Sequence, residues 1–205
     1  MARIDDYNYA VRLASDELIK YDPVIIAGKA GGEIKDGNIL LSFLNEDIII
    51  SCHDFKMKRA GIGEELSLTQ QVLLLHYLIG ADKKICHGEW IAFHEIPEGK
   101  FYLEPFNKRA QIPFLNTFGK NPDLLLEVAK KLYNADYAEM GDVAVTVKAL
   151  PLITVALILW RGDDEFPPEA KILFDKSISK ILSAEDAAWL AGMVVYPLIG
   201  AAVHS

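Results

Sequence analysis

Between Leu152 and Asp175 two apolar runs flank a charged break. LITVALILW passes into Arg161-Gly162-Asp163-Asp164-Glu165, then Phe166-Pro167-Pro168 and Ile172-Leu173-Phe174. The first run does not alternate, which predicts a strand over 152–160 covered on both faces. Residues 142–148 alternate apolar and polar positions as a half-buried strand does, and 170–174 form a third strand. Upstream, Tyr9, Leu13 and Leu18 among charged residues predict an amphipathic helix ending before Asp22-Pro23. Val24-Ile25-Ile26 reads as a short strand and residues 28–32 as a glycine-rich turn. Residues 38–43 and 47–51 read as two strands joined at Asn45-Glu46.

Ser67 and Gln70 have the spacing of a capping box, and Leu68, Val72, Leu75, His76 and Ile79 then recur at helical spacing up to Gly80. Residues 90–96 and 101–104 predict a hairpin turned by Pro97-Glu98-Gly99. A short helix over 107–118, interrupted at Pro113, precedes one opened by Asn121-Pro122-Asp123 and running to Tyr133. Ser183 and Asp186 repeat the capping pattern before the last helix. Strands come in adjacent runs rather than alternating with helices, which predicts an α+β fold with a mostly antiparallel sheet. Without repeat, low-complexity tract or polar linker, residues 1–205 read as a single domain.

The net charge of −8 opposes non-specific nucleic-acid binding, because a polyanion is repelled over most of such a surface. Two cysteines, Cys52 and Cys86, are too few for a disulfide framework and fit a reducing, cytoplasmic compartment. The first residues, Met1-Ala2-Arg3-Ile4-Asp5-Asp6, form no apolar signal core. Residues 187–203 are uncharged, but Gly192, Pro197 and Gly200 interrupt them and no Lys or Arg flanks them. They read as a buried helix, or one lining a subunit interface, and no membrane association is expected.

Candidate chemistry concentrates in a few places. Asp163, Asp164 and Glu165, at the end of a covered strand, offer hard oxygen ligands or a loop anchor, with Arg161 as the nearest cationic partner. Trp90 and His94, four positions apart and so on one face of the expected strand, and Tyr102 on the facing one can wall a ligand pocket, with Trp160 beside the acidic turn. His76 falls within the apolar face of its helix, as a core or pocket-wall histidine or as a general base. The pairs Cys52-His53 and Cys86-His87 lack the two-residue spacer of structural zinc sites, so no metal is assigned. The Gly28-Lys29-Ala30-Gly31-Gly32 turn lacks the Walker spacing. No Gly-x-Ser-x-Gly elbow, His-Glu-x-x-His helix, Cys-x-x-Cys pair or dinucleotide fingerprint occurs, and no cofactor follows from the residues.

Leu75-His76-Tyr77-Leu78, Gly88-Glu89-Trp90-Ile91-Ala92-Phe93, Phe118-Gly119, the block from Leu159 through Pro168, Leu173-Phe174-Asp175 and Glu185-Asp186 resemble a prokaryotic family, domain of unknown function 3786. The resemblance covers about 66–199. It implies a protein of anaerobic bacteria or archaea, some of whose relatives carry an iron–sulfur module like that of corrinoid proteins. This chain has two cysteines, short of the run such a module needs. The resemblance transfers no catalytic residue. The expected function is non-enzymatic: a ligand-binding or accessory protein of anaerobic metabolism, taking a small molecule near Trp90, His94, Trp160, Asp163, Asp164 and Glu165. The alternatives are an enzyme using a metal or a His and carboxylates, and a structural subunit forming a homo-oligomer through the C-terminal helix.

Overall fold

A computed structural model of the chain describes residues 4–85 and 88–203. Where capping chemistry and strand propensity conflict, the caps prevail. After helix α1 (Ile4–Leu18), Val24-Ile25-Ile26 lies not in a strand but in helix α2 (Pro23–Ala30). Asp22 accepts the Val24 N–H at 2.8 Å, Pro23 fills the first turn, and Gly31 ends the helix at φ 77°. Those signals outweigh three β-branched residues, whose helix penalty is less than about 1 kcal/mol each. α1 turns Ala14, Ser15 and Leu18 inward; Tyr9 and Leu13 stay exposed.

The first sheet is an antiparallel meander of β1 (Glu33–Lys35), β2 (Asn38–Phe43), β3 (Glu46–Ser51) and β4 (Met57–Arg59). β2 and β3 join through Leu44 and Asn45, at φ 52° and 65°, the left-handed pair of a two-residue hairpin turn. The Leu44 N–H donates to the Ala149 carbonyl (2.9 Å) and Asn45 Nδ2 to the Leu132 carbonyl (3.2 Å), fastening this tip to the rest of the fold. Helix α3 (Leu68–Gly80) begins with the expected capping box between Ser67 and Gln70. From its buried face the Tyr77 hydroxyl donates to the Ala30 carbonyl (2.7 Å) and accepts the Leu152 N–H (3.2 Å).

The hairpin expected over 90–104 does not form. Only β5 (Trp90–Ala92) is strand; Phe93–Glu95 is a 3₁₀ turn and Gly99–Phe106 is helix α4. Phe106, Ala110, Phe114 and Phe118 recur every four residues and are all buried, so helical spacing governs this stretch. The stripe runs through α4, a π-helical segment (Asn107–Gln111) and α5 (Ile112–Phe118). Strict four-residue spacing drifts around a 3.6-residue helix, and the wider π turn takes up that drift. Phe93 stacks on Phe106 with centroids 4.1 Å apart.

Helix α6 (Asp123–Tyr133) follows as expected. The second sheet also contains β6 (Asp136–Tyr137), β7 (Val143–Leu150), β8 (Ile153–Trp160) and β9 (Glu169–Asp175), in the all-antiparallel order β5-β9-β8-β7-β6. β8 is covered on both faces, as its unbroken apolar run predicts. A short α7 (Ile178–Ile181) leads to α8 (Ala184–Val203). α8 is long and apolar enough to cross a membrane by length and composition; here its buried residues pack on α3, α4, α5, α6 and β7. The Tyr133 hydroxyl donates to the Val194 carbonyl at 2.8 Å. One core runs from Ala14 to Leu198, so the chain is a single α+β domain with two antiparallel sheets.

Candidate functional site

The acidic corner after β8 is ordered by its own bonds. The Arg161 backbone N–H donates to Asp142 (2.7 Å), and its guanidinium pairs with Asp123 (2.7 Å), not with the neighbouring carboxylates. Asp163 accepts the N–H groups of Glu165 (2.8 Å) and Phe166 (2.7 Å), which hold its carboxyl below the usual carboxylate range. At Gly162 a Cβ would lie 2.7 Å from Pro168 Cδ, so the loop closes tightly there. Yet Asp163, Asp164 and Glu165 are all exposed. Among the described residues they form no metal-holding group of three or more His, Cys, Asp or Glu.

The structure does not bring the other candidates to this corner. Trp90 pairs with Asp175 and Trp160 with Glu169, at opposite ends and on opposite sides of β9. Six residues of strand separate those ends by roughly 20 Å. His94 lies in the exposed 3₁₀ turn rather than on a strand face with Trp90, and Tyr102 lies on α4. Trp160 is half-buried against Ala144, Ala156 and Ile158, with Lys171 Nζ 5.6 Å from its ring centroid. The pocket expected from Trp90, His94, Trp160, Asp163, Asp164 and Glu165 is therefore not assembled: strand register separates its walls. Cys52 is partly buried, which raises its thiol pKa; the Cys86-His87 pair lies outside the described residues.

Two adjoining cavities lie along α8. A cavity of about 510 Å³ opens between the hairpin tip (Phe43, Leu44, Glu46), the start of α3 (Thr69, Gln70), the end of α6 (Leu132, Tyr133) and Trp189, Gly192, Met193 and Tyr196 of α8. Its walls are mainly apolar and aromatic, with two guanidinium groups among them. Arg59 is neutralised by Glu46 at 2.7 Å. Arg109, carried by the π-helical segment, lies 4.5 Å from the centroid of the Trp189 ring and makes no ion pair among the described residues. A stacked guanidinium with unspent donors in a largely apolar wall is suited to an anion.

A smaller cavity of about 190 Å³ adjoins it, since Thr69 and Trp189 line both. α1 supplies Asp6, Tyr7 and Ala10, α3 supplies Val72, Leu73 and His76, and α8 supplies Glu185 and Asp186. Tyr7 meets Trp189 edge-on, 6.0 Å between centroids. His76 Nδ1 lies 3.0 Å from both oxygens of Asp186. An ionised carboxylate only accepts, so Nδ1 carries the proton and Nε2 is left available. Asp186 is itself held by the capping box, accepting from the Ser183 hydroxyl (2.7 Å) while its N–H donates to Ser183 Oγ (3.1 Å).

The hydrogen bond to Asp186 raises the His76 pKa above its ordinary value, against the opposing effect of burial. The protonated imidazole therefore favours the folded state. Its stabilisation is complete below the unfolded value of about 6.5 and fades as pH rises through the higher folded value. Unfolding free energy, followed by urea denaturation, should decline over that interval in the native protein, and Asp186→Asn should flatten the decline.

An α+β protein whose apolar C-terminal helix walls two adjoining cavities, one with an arginine and one with a His–Asp pair, defines the class. The chain belongs to the family described as Domain of unknown function (DUF3786), whose model matches residues 22–196. The match includes the first sheet, upstream of the 66–199 region read from motifs. No curated protein and no solved structure matches the chain. Of the residues around these cavities, the sequence pointed to His76 and, through its cap, Asp186. Trp189, three residues beyond Asp186 and so on the same helix face, was legible by that spacing but hidden in a uniformly apolar run. Arg109 carried no local signal, since its place depends on the π turn.

Proposed function

We propose that this protein binds a small, largely apolar anion in the cavity along α8, as a ligand-binding or accessory protein rather than through the acidic corner. The observation that carries the reading is Arg109, stacked on Trp189 in an apolar wall with no carboxylate partner among the described residues. Few convergent polar groups in a mostly apolar concavity are the usual make-up of a small-molecule site. The size, about 510 Å³, falls in the range of such sites. A cytoplasmic, anaerobic setting belongs to the same reading, as an expectation from cysteine usage and family resemblance.

The dye 8-anilinonaphthalene-1-sulfonate, an aromatic anion, is a direct probe. It should bind one per chain with enhanced, blue-shifted fluorescence. Arg109→Gln should weaken that binding about tenfold, the loss of one charge-assisted contact of roughly 1.5 kcal/mol. Equal affinity in the variant, at unchanged melting temperature, would remove Arg109 as the anchor and with it the reading.

A further inference from the structure

The geometry points to a proton-transfer site in the smaller cavity. We propose that His76 acts as general base on a carbon acid, an anionic small molecule whose C–H beside a carbonyl reaches past Thr69 and Trp189. The inference rests on the binding reading above. Three observations support it. Nδ1 is committed to Asp186 through two 3.0 Å contacts, which fixes the ring and its tautomer. Nε2 makes no hydrogen bond among the described residues, on a residue that lines the cavity. The cavity shares two wall residues with the one holding Arg109, so the base and the anion anchor lie on adjoining cavities. A base oriented by a carboxylate and adjacent to a substrate anchor is the arrangement that proton abstraction needs.

Among the described residues, the charged groups lining this cavity with His76 are Asp186 and Glu185 from α8 and Asp6 from α1. Asp186, 3.0 Å from Nδ1, favours the imidazolium formed on proton uptake. Among the described residues, its walls supply no serine, cysteine or lysine as nucleophile. The hydroxyl of Thr69 already shares a hydrogen bond with Ser67 (3.1 Å), two helical turns before His76. Ala10, Val72, Leu73 and the ring of Trp189 give an apolar surround.

The step balances without a co-reactant. Nε2 takes the proton from carbon, and the C–H electron pair becomes the carbon–carbon double bond of an enolate as the carbonyl electrons move to oxygen. Asp186 faces the resulting imidazolium through Nδ1–H. The proton then returns to the same carbon or to another atom of the enolate. Nothing is oxidised or reduced. His76 is the reacting group and Asp186 the positioning residue.

Deuterium wash-in tests this on two anionic carbon acids, phenylpyruvate and 4-methyl-2-oxopentanoate. In D₂O the native protein should speed loss of the C3 proton signal by about a hundredfold over buffer, the low end for general-base catalysis. His76→Gln should return exchange to the buffer rate while still binding 8-anilinonaphthalene-1-sulfonate, with a cooperative thermal unfolding transition showing that the variant is folded. Asp186→Asn should keep some exchange with the rising limb of its rate–pH profile moved to lower pH, since Asp186 raises the His76 pKa. Binding of the oxo acids without exchange overturns this inference and leaves the binding reading intact. Failure to bind either the dye or the oxo acids overturns both. Exchange undiminished in His76→Gln removes His76 as the base. Hydrolysis of 4-nitrophenyl acetate that requires His76, in the absence of exchange, assigns the base to water and overturns the carbon-acid assignment.

Discussion

Replacing Gly80 with alanine should lower the unfolding free energy by about 2 kcal/mol, an overpacking cost near the upper end of roughly 1–3 kcal/mol less about 1 kcal/mol of gained helix propensity. Gly80 is the last residue of α3, where the helix runs against Ile181 at the end of α7. A Cβ at this position would press on the Ile181 carbonyl oxygen far inside van der Waals distance and would lie 2.9 Å from its carbonyl carbon. Both obstacles are backbone, so no rotamer change relieves them and the two elements must separate. Ile181 is two residues before Ser183, the cap that holds Asp186, and His76 is one turn before Gly80. The absent side chain therefore sets the distance at which His76 meets Asp186. Urea denaturation should report the stability loss, and an NMR titration should show the His76 pKa falling back toward its ordinary value. A gain of about 1 kcal/mol instead would show that helix propensity alone decides at this position.

The same residues show why the fold was more legible than the site. Covered strand β8, the two capping boxes and α6 all follow from signals within a few residues, and each appears where the pattern placed it. The two misread segments failed for a shared reason. In 24–26 and 101–104 short apolar runs looked like strands, whereas Asp22 with Gly31, and the four-residue stripe from Phe106 to Phe118, are helical signals of longer reach. The site failed differently. Trp90 and Trp160 both border β9, but which of its ends each would face is a matter of register, which no local pattern specifies. The acidic turn drew attention as the most polar feature beside an apolar strand, and its bonds prove to be local: Asp163 to its own loop, Arg161 to Asp123. Arg109 and Trp189 meet only because a π turn and a distant helix pack side by side.

Leucine at Gly192 should abolish dye binding, with a loss of at least about a hundredfold or roughly 2.7 kcal/mol, while leaving the fold as stable as before or more so. Gly192 lies in the middle of α8, on the wall of the larger cavity. A Cβ there would meet the Tyr196 ring and the Arg109 carbonyl at 3.8–3.9 Å, which is ordinary contact. The backbone is helical, so the substitution also removes a helix-interior glycine worth about 1 kcal/mol. The rest of the leucine has only the cavity to enter, beside the face of Trp189 on which Arg109 stacks. Stability and binding should therefore move in opposite directions, measured by thermal unfolding and by 8-anilinonaphthalene-1-sulfonate fluorescence on the same sample. A scaffolding role for this surface predicts the reverse pairing: a destabilised protein whose loosened core takes up the dye more readily. Gly192 thus leaves room in the wall of a cavity lined by Trp189, Tyr133 and an arginine without a carboxylate partner among the described residues. On the proposed binding reading, the glycine leaves that space to the ligand.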